Sequence, residues 1–385
     1  MEHYTVEAIA MVEIREVKTR SELKKFVNYP NVLYKGVPQY IPSMIGDDLS
    51  DWNPKKNPAF SYCDAKCWLA WRDGKIVGRI GAILSRRANE KWGLNRMRFS
   101  QVDFIDDFEV SSALFKAVED FAREKGCDEV HGPLGFTDLD REGMLVEGFD
   151  RRSMFITYYN HPYYIEHLQR LGYGKDVDWV ELLIEVPYDE HLVSRMDKLA
   201  ERVMRSNKLH IVELKNRRDY KPWIEKVFQM VNTCYAGLYG TVPLDEMQIR
   251  RYAAKFVPLV SPDFACFVAD EQDNLVAFGV SAPSMAEALK KSDGRLFPLG
   301  WIGVLKALKK NDTLDLFLVA VTPEYQNKAV NAIMMNHVLK SCHKMGITHA
   351  ETGPQLETNH HVQNQWNFFK TEQHKRRRCF VKKLD

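Results

Sequence analysis

Residues 321–334, VTPEYQNKAVNAIM, follow the apolar run LDLFLVAV (314–321) and precede a long helical pattern. A strand, a Pro-containing turn and a helix in that order present unpaired N–H groups and the positive end of a helix dipole. That makes the turn suited to an anion such as phosphate. Lys328 is a candidate extra charge there; a solvated lysine on a plain strand–turn–helix connection is the alternative. The comparable first-half stretch, FSQVDFIDDFEVSSALFKAVEDF, carries Asp106, Asp107 and Glu109 at its turn. Carboxylates satisfy a helix N-terminus themselves and repel pyrophosphate, so no second phosphate site is expected.

A second concentration of chemistry lies in GFTDLDREGMLVEGFDRRSMFITYY (135–159), a long non-periodic loop of acids, arginines and aromatics. Glu147, Arg151, Arg152 and Tyr158 are candidates to face a cleft and bind an amine or carboxylate substrate. A solvated loop whose acids cap backbone N–H groups is the alternative. Asp138-x-Asp140-x-Glu142-Gly143 opens like a calcium loop, but position twelve is Phe149 where a Glu is required, which rejects calcium. His360–His361 and Cys63-x-x-x-Cys67 lack further converging ligands, so no metal is expected. Lys375–Arg378 introduces an alternating terminal strand, and a solvated or sheet-edge role is expected for its charges.

Stepping from these residues to the elements that hold them reveals a repeat. CWLAWRDGKIVGRIGA (67–82) resembles CFVADEQDNLVAFGVSA (266–282), each an apolar strand, a polar turn and a second strand. FKAVEDFAREKGCDEVHGPLGF (115–136) parallels MNHVLKSCHKMGITHAETGPQL (335–356), each an amphipathic helix, a stopping Gly, a short strand and Gly-Pro. The expected class is α/β with a mixed sheet, one fold used twice, divided into 1–187 and 188–385 near Pro187. With 54 basic and 52 acidic side chains the formal charge is +2, so no field for nucleic acid or anionic membrane is expected. No spanning apolar run or signal-peptide core is seen, although Met11 is a possible second start. Seven scattered cysteines read as reduced thiols in a cytoplasmic protein. No Walker loop, Gly-x-Gly-x-x-Gly or Gly-x-Ser-x-Gly elbow occurs.

The arrangement resembles the GNAT (GCN5-related N-acetyltransferase) fold, twice in tandem. Val321-Thr322-Pro323-Glu324-Tyr325-Gln326 is similar to that family's approach to its pyrophosphate turn, Gln/Arg-x-x-Gly-x-Gly/Ala. The continuation Gln326-Asn327-Lys328-Ala329-Val330-Asn331 has Ala and Asn where the family has glycines. NHPYYIEHLQRLGY (160–173) resembles the family's helix bearing the tyrosine that protonates departing CoA thiolate. Leu168 takes that tyrosine's place here, and Trp366 or Phe369 takes it in the second half. The segment 26–60, the Gly-Pro loop and the basic end also resemble a family of bacterial GNAT-like proteins of about this length.

The resemblance implies an acyl-CoA-dependent N-acyltransferase, acting with acetyl-CoA or another acyl-CoA on a small-molecule amine acceptor. The pantetheine arm would pair with the backbone at Val319 and Val321. The pyrophosphate would sit on Gln326, Asn327, Lys328, Ala329, Val330 and Asn331. Glu351 would be the base, with Asp315 a competitor. The alternatives are a non-catalytic ligand-binding or scaffold protein on the same double fold and, more weakly, an aminoacyl-tRNA-dependent transferase. A homodimer is the base-rate expectation.

Overall fold

The computed structural model describes residues 11–385, so the expectation about the segment before Met11 lies outside the described part. Among the described residues each half supplies seven strands. The first gives β1 (Glu13–Glu16), β2 (Cys63–Arg72), β3 (Lys75–Ser85), β4 (Arg96–Phe104), β5 (Glu129–Gly132), β6 (Met144–Glu147) and β7 (Gly174–Glu185). The second gives β8 (His210–Ile211), β9 (Ala265–Ala269), β10 (Leu275–Pro283), β11 (Thr313–Val321), β12 (His349–Thr352), β13 (Gln355–Leu356) and β14 (Thr371–Lys383).

The repeat read from the sequence is present in space. The hairpins β2–β3 and β9–β10 turn at Asp73-Gly74 and around Asp273, with positive φ at all three residues. Polar and glycine residues are the ones that tolerate that conformation. In each half a parallel pair follows, β4–β5 and β11–β12, connected through the helices Phe108–Glu124 and Asn331–Met345. In the first half Asp107 caps its helix, accepting from the N–H of Glu109 and Val110, and is ion-paired to Arg72. The Asn331–Met345 helix has no such side-chain cap.

All strands form one mixed sheet in the order β1-β2-β3-β4-β5-β14-β7-β12-β11-β10-β9-β8, with β6 on β14 and β13 on β7. The last strand of each half thus completes the other half's sheet: β14 lies against β5, and β7 lies against β12. The segments 1–187 and 188–385 are contiguous in sequence, yet each lacks one strand of its own spatial unit.

This overturns the edge-strand role expected for Lys375–Arg378. Those residues lie in the middle of the sheet, paired to β7 on one side and β6 on the other. The period-2 alternation of a strand sends Arg376 and Arg378 to a part-exposed face, where they meet Glu147, Glu357 and Asp178. It sends Lys375 and Arg377 into the core.

There Lys375 Nζ pairs with Glu181 at 2.9 Å and with Glu351, while Arg377 Nε pairs with Glu181. Lys375 also donates to the Arg152 carbonyl at 3.0 Å and Arg377 to the Tyr158 carbonyl at 2.5 Å, tying in the 135–159 loop. Two cations and two carboxylates cancel, which is how buried charge is tolerated. Burial pushes the Glu181 carboxyl up, but Arg377 and Lys375 outweigh it and hold it at about 2.

Asp315 on β11 is left over. It is buried with no well-formed hydrogen bond to either oxygen. Burial and then neighbouring Glu351 push it up to about 7 from 3.8.

Lys375→Met is expected to destabilise the protein by about 3–5 kcal/mol in urea unfolding, because it removes the cation shared by two buried carboxylates and leaves their charge uncompensated. Asp315→Asn acts oppositely. The native state holds this proton more tightly than the unfolded chain, so the wild-type group costs stability progressively as pH rises from 3.8 to about 7. The Asn variant should therefore gain more in thermal midpoint at pH 8 than at pH 5.

Candidate functional site

Parallel pairing of β11 with β12 covers only Thr313–Leu316 and His349–Thr352, and its last bond is Gly353 N–H to Leu316 O at 3.1 Å. Phe317 is then an extra residue in β11, since Val280 faces Leu318 while Ser281 faces Leu316. A bulge of this kind bends a strand and ends its pairing on one side. Beyond it β11 continues to Val321 on β10 alone, while β12 departs through Pro354 to β13 on β7. The strands therefore splay, opening a gap.

A cavity of about 380 Å³ passes through this gap and reaches both faces of the sheet. On one face Met334, Met335, Val338 and Leu339 of the Asn331–Met345 helix line it, with Trp366 and Phe369. On the other, Ile224, Val227 and Phe228 of the Lys221–Cys234 helix line it, with Phe256 and Val257. One end is polar, where Asp138, Asp140 and Glu142 come in from the first half.

The phosphate-suited turn sits at the end of β11. Gln326, Asn327, Lys328 and Ala329 are exposed, and Val330 is buried beneath them. Asn327 and Ala329 have φ of +63° and +56°, so Ala329 keeps the left-handed conformation that glycine suits, at a cost for its Cβ. Among the described residues the N–H groups of Asn327, Ala329, Val330 and Asn331 find no backbone acceptor, and no side chain caps the helix. These are the free donors an anion needs. Gln326 turns back to the Val321 carbonyl at 3.1 Å, and Lys328 lies over the Tyr325 ring.

Family comparison agrees with this geometry. Residues 224–370 match the model of the acetyltransferase (GNAT) family. A tandem GNAT protein from the clavulanic acid biosynthesis pathway superposes with a TM-score of 0.56 at 12% identity, over 97% of this chain and 98% of that one.

Residues 224–370 carry a GNAT-family domain, and the chain as a whole has a tandem GNAT fold.

Two curated relatives extend over most of it. Protein YghO of Escherichia coli (strain K12) is 27% identical over 96% of this chain and 95% of its own length. A bacterial ceramide synthase of Caulobacter vibrioides is 25% identical over 88% of each.

Within this tandem GNAT fold, several expected site residues lie elsewhere than the sequence placed them. Glu351 is on β12 at the level of Asp315 but does not line the cavity; Lys375 and His374 hold it. Burial pushes its carboxyl up, and Lys375 and His374 outweigh that to keep it below the ordinary value. Glu181, Glu351 and His374 lie close enough together to share a metal, but Lys375 Nζ binds both carboxylates. Glu147 is exposed and Arg151 part-exposed, paired with Arg376 and Glu372, and neither lines the cavity through the β11–β12 gap. Tyr158 is under the Arg141 guanidinium in a separate small pocket, its hydroxyl pushed up to about 12 by burial.

One residue had no sequence signal. Tyr235, just past the Lys221–Cys234 helix, donates its hydroxyl to the Val319 carbonyl at 2.9 Å and accepts the Val319 N–H at 3.3 Å. It occupies both groups that an added strand would use on this edge.

Ala329→Gly relieves the left-handed Cβ and is expected to raise stability by roughly 0.5–1 kcal/mol in denaturant unfolding. The opposite sign would mean that this turn departs from the conformation described.

Proposed function

We propose that this protein is an acyl-CoA-dependent N-acyltransferase whose donor carries a long acyl chain and whose acceptor is an amine with a hydrocarbon chain. The carrying observation is the apolar cavity of about 380 Å³ through the β11–β12 gap. It is much larger than an acetyl group requires and lies within the range of sites for extended ligands. The Caulobacter relative is named a ceramide synthase, and a ceramide is the amide of a fatty acid with a long-chain amine. That name supports the same class of acceptor here.

In this reading the free N–H groups at 327–331 take the pyrophosphate, with Lys328 nearby. The pantetheine arm runs along the β11 edge once Tyr235 has released Val319. The thioester then lies in the gap, where both apolar arms meet. The acceptor nitrogen attacks its carbonyl carbon, the C–N bond forms and the C–S bond breaks. The negative charge on the carbonyl oxygen is met by a backbone N–H of β11. The CoA thiolate leaves and takes the proton shed by the nitrogen. Its basicity is modest, so the absence of the family's tyrosine at Leu168, Trp366 and Phe369 is compatible with turnover.

Tyr235 also favours a second reading, a ligand-binding protein without catalysis, because its hydroxyl already satisfies the edge that pantetheine would need.

Calorimetric titration with acetyl-, hexanoyl- and decanoyl-CoA tests the proposal. Affinity is expected to rise about threefold to fourfold per buried methylene, following roughly 0.8 kcal/mol each. Ala329→Glu should abolish binding of all three. Equal affinity for acetyl- and decanoyl-CoA would sink the long-chain reading, and no binding of any would favour the non-catalytic one.

A further inference from the structure

The polar end of the cavity holds three carboxylates from one first-half segment, and they are not equivalent. Asp140 is used by the fold: it accepts the N–H of Phe136 at 2.9 Å and of Thr137 at 3.2 Å, and the Tyr252 hydroxyl at 2.9 Å. Asp138 receives only a long contact from the Val242 N–H, at 3.5 Å. Glu142 has no hydrogen-bond or ion-pair partner among the described residues, and what surface it exposes borders the cavity.

The fixed cations near them are already engaged. Arg98 donates to the carbonyls of Gly135 at 2.9 Å and Gly240 at 3.1 Å and forms no ion pair. Lys91 donates to Ala236 and Thr241. The walls beyond are apolar or aromatic, with Ile156, Trp179 and Leu238. Burial first, then Asp138 and Asp140, push the Glu142 carboxyl well above the ordinary carboxylate range, and Arg98 only partly opposes them. Without a counter-ion this half-buried carboxyl holds its proton, and a cation entering the cavity favours the ionised form that pairs with it.

We infer that Asp138 and Glu142 are the acceptor subsite, binding the substrate's ammonium group, and that Glu142 accepts the proton that frees the nitrogen for attack. This rests on the N-acyltransferase reading. The proton passes from R–NH3+ to the Glu142 carboxylate, leaving R–NH2 with its lone pair free to form the amide C–N bond. Glu142 returns the proton to solvent after product leaves. The first half, whose own helix N-terminus is closed by Asp107, thereby supplies the acceptor chemistry while the second half supplies the donor site. Glu351, paired to Lys375 and His374, is not part of the cavity lining.

The test uses the full chain and two probes of equal chain length, n-octylamine and 1-octanol, titrated into wild type, Glu142→Gln and Asp138→Asn. Decanoyl-CoA titrated in parallel reports the donor site. The wild type is expected to bind the amine at least tenfold more tightly than the alcohol. Each variant should lose most of that preference while its affinity for the alcohol and for decanoyl-CoA stays within twofold, which also shows that the cavity is intact. Glu142→Asp should retain part of the preference. Equal binding of amine and alcohol by the wild type, or an undiminished preference in both neutral variants, would overturn the subsite. A wild type that prefers the amine through Glu142 yet binds no acyl-CoA would keep the ammonium site and overturn the acyltransferase reading, so the two failures are told apart.

Discussion

The interaction on which the rest depends is the buried quartet of Glu181, Glu351, Lys375 and Arg377. It joins β7, β12 and β14, three strands from both halves, at the seam of the sheet. Apolar side chains could also fill that seam. Charges differ in that only one register brings Glu181 opposite Lys375, and a shift of β14 by one residue would turn Lys375 and Arg377 to the other face, away from Glu181 and Glu351. The quartet therefore fixes how the halves meet, and with it the placement of the 135–159 loop, whose carbonyls at Arg152 and Tyr158 accept from Lys375 and Arg377. Residues 138–142 reach the second half's cavity on that fixed loop.

The halves start from one architecture and diverge at a single kind of position, the helix start after the fourth strand of the repeat. In the first half Asp107 and Arg72 close it with protein groups. In the second it is open, and the strand before it carries the bulge at Phe317 that parts the sheet. The uncapped helix start and the parted sheet lie side by side, so in the proposed reading a ligand anchored at the turn would run into the gap. Tyr235 closes that route by giving one hydroxyl to both hydrogen-bonding groups of Val319. Any ligand using this edge must displace it, so its measured affinity is lowered by the fraction of molecules in which Tyr235 stays in place.

Much of the scaffold was legible in the chain. The duplicated hairpins showed as strand–turn–strand runs with Asp73-Gly74 and Asp273-Asn274, and the helices showed through apolar spacing and the glycines at 126 and 346. The strand–turn–helix connection at 326–331 was visible from its order of elements, since helix-start signals are local. What was not legible depends on partners distant in sequence. HKRRRCFVKKL reads as a solvated edge because nothing nearby neutralises it; its counter-charges at Glu181 and Asp178 lie about two hundred residues earlier. Glu351 looked free for the same reason. Asp138, Asp140 and Glu142 looked alike in the sequence, and only the structure shows that Tyr252 and two backbone amides engage one of them.

The exchange of β7 and β14 also has a consequence for how the chain is made. β5 and β7 are complete by residue 185, but the strand that lies between them begins at Thr371. At roughly 5–20 residues per second of synthesis, the first half waits on the order of 10–40 s for its missing strand. Throughout that interval β5 and β7 present unpaired backbone edges, and Glu181 has neither of its cations. The nascent first half is thus an incomplete body on the ribosome until residues 371–383 have been made.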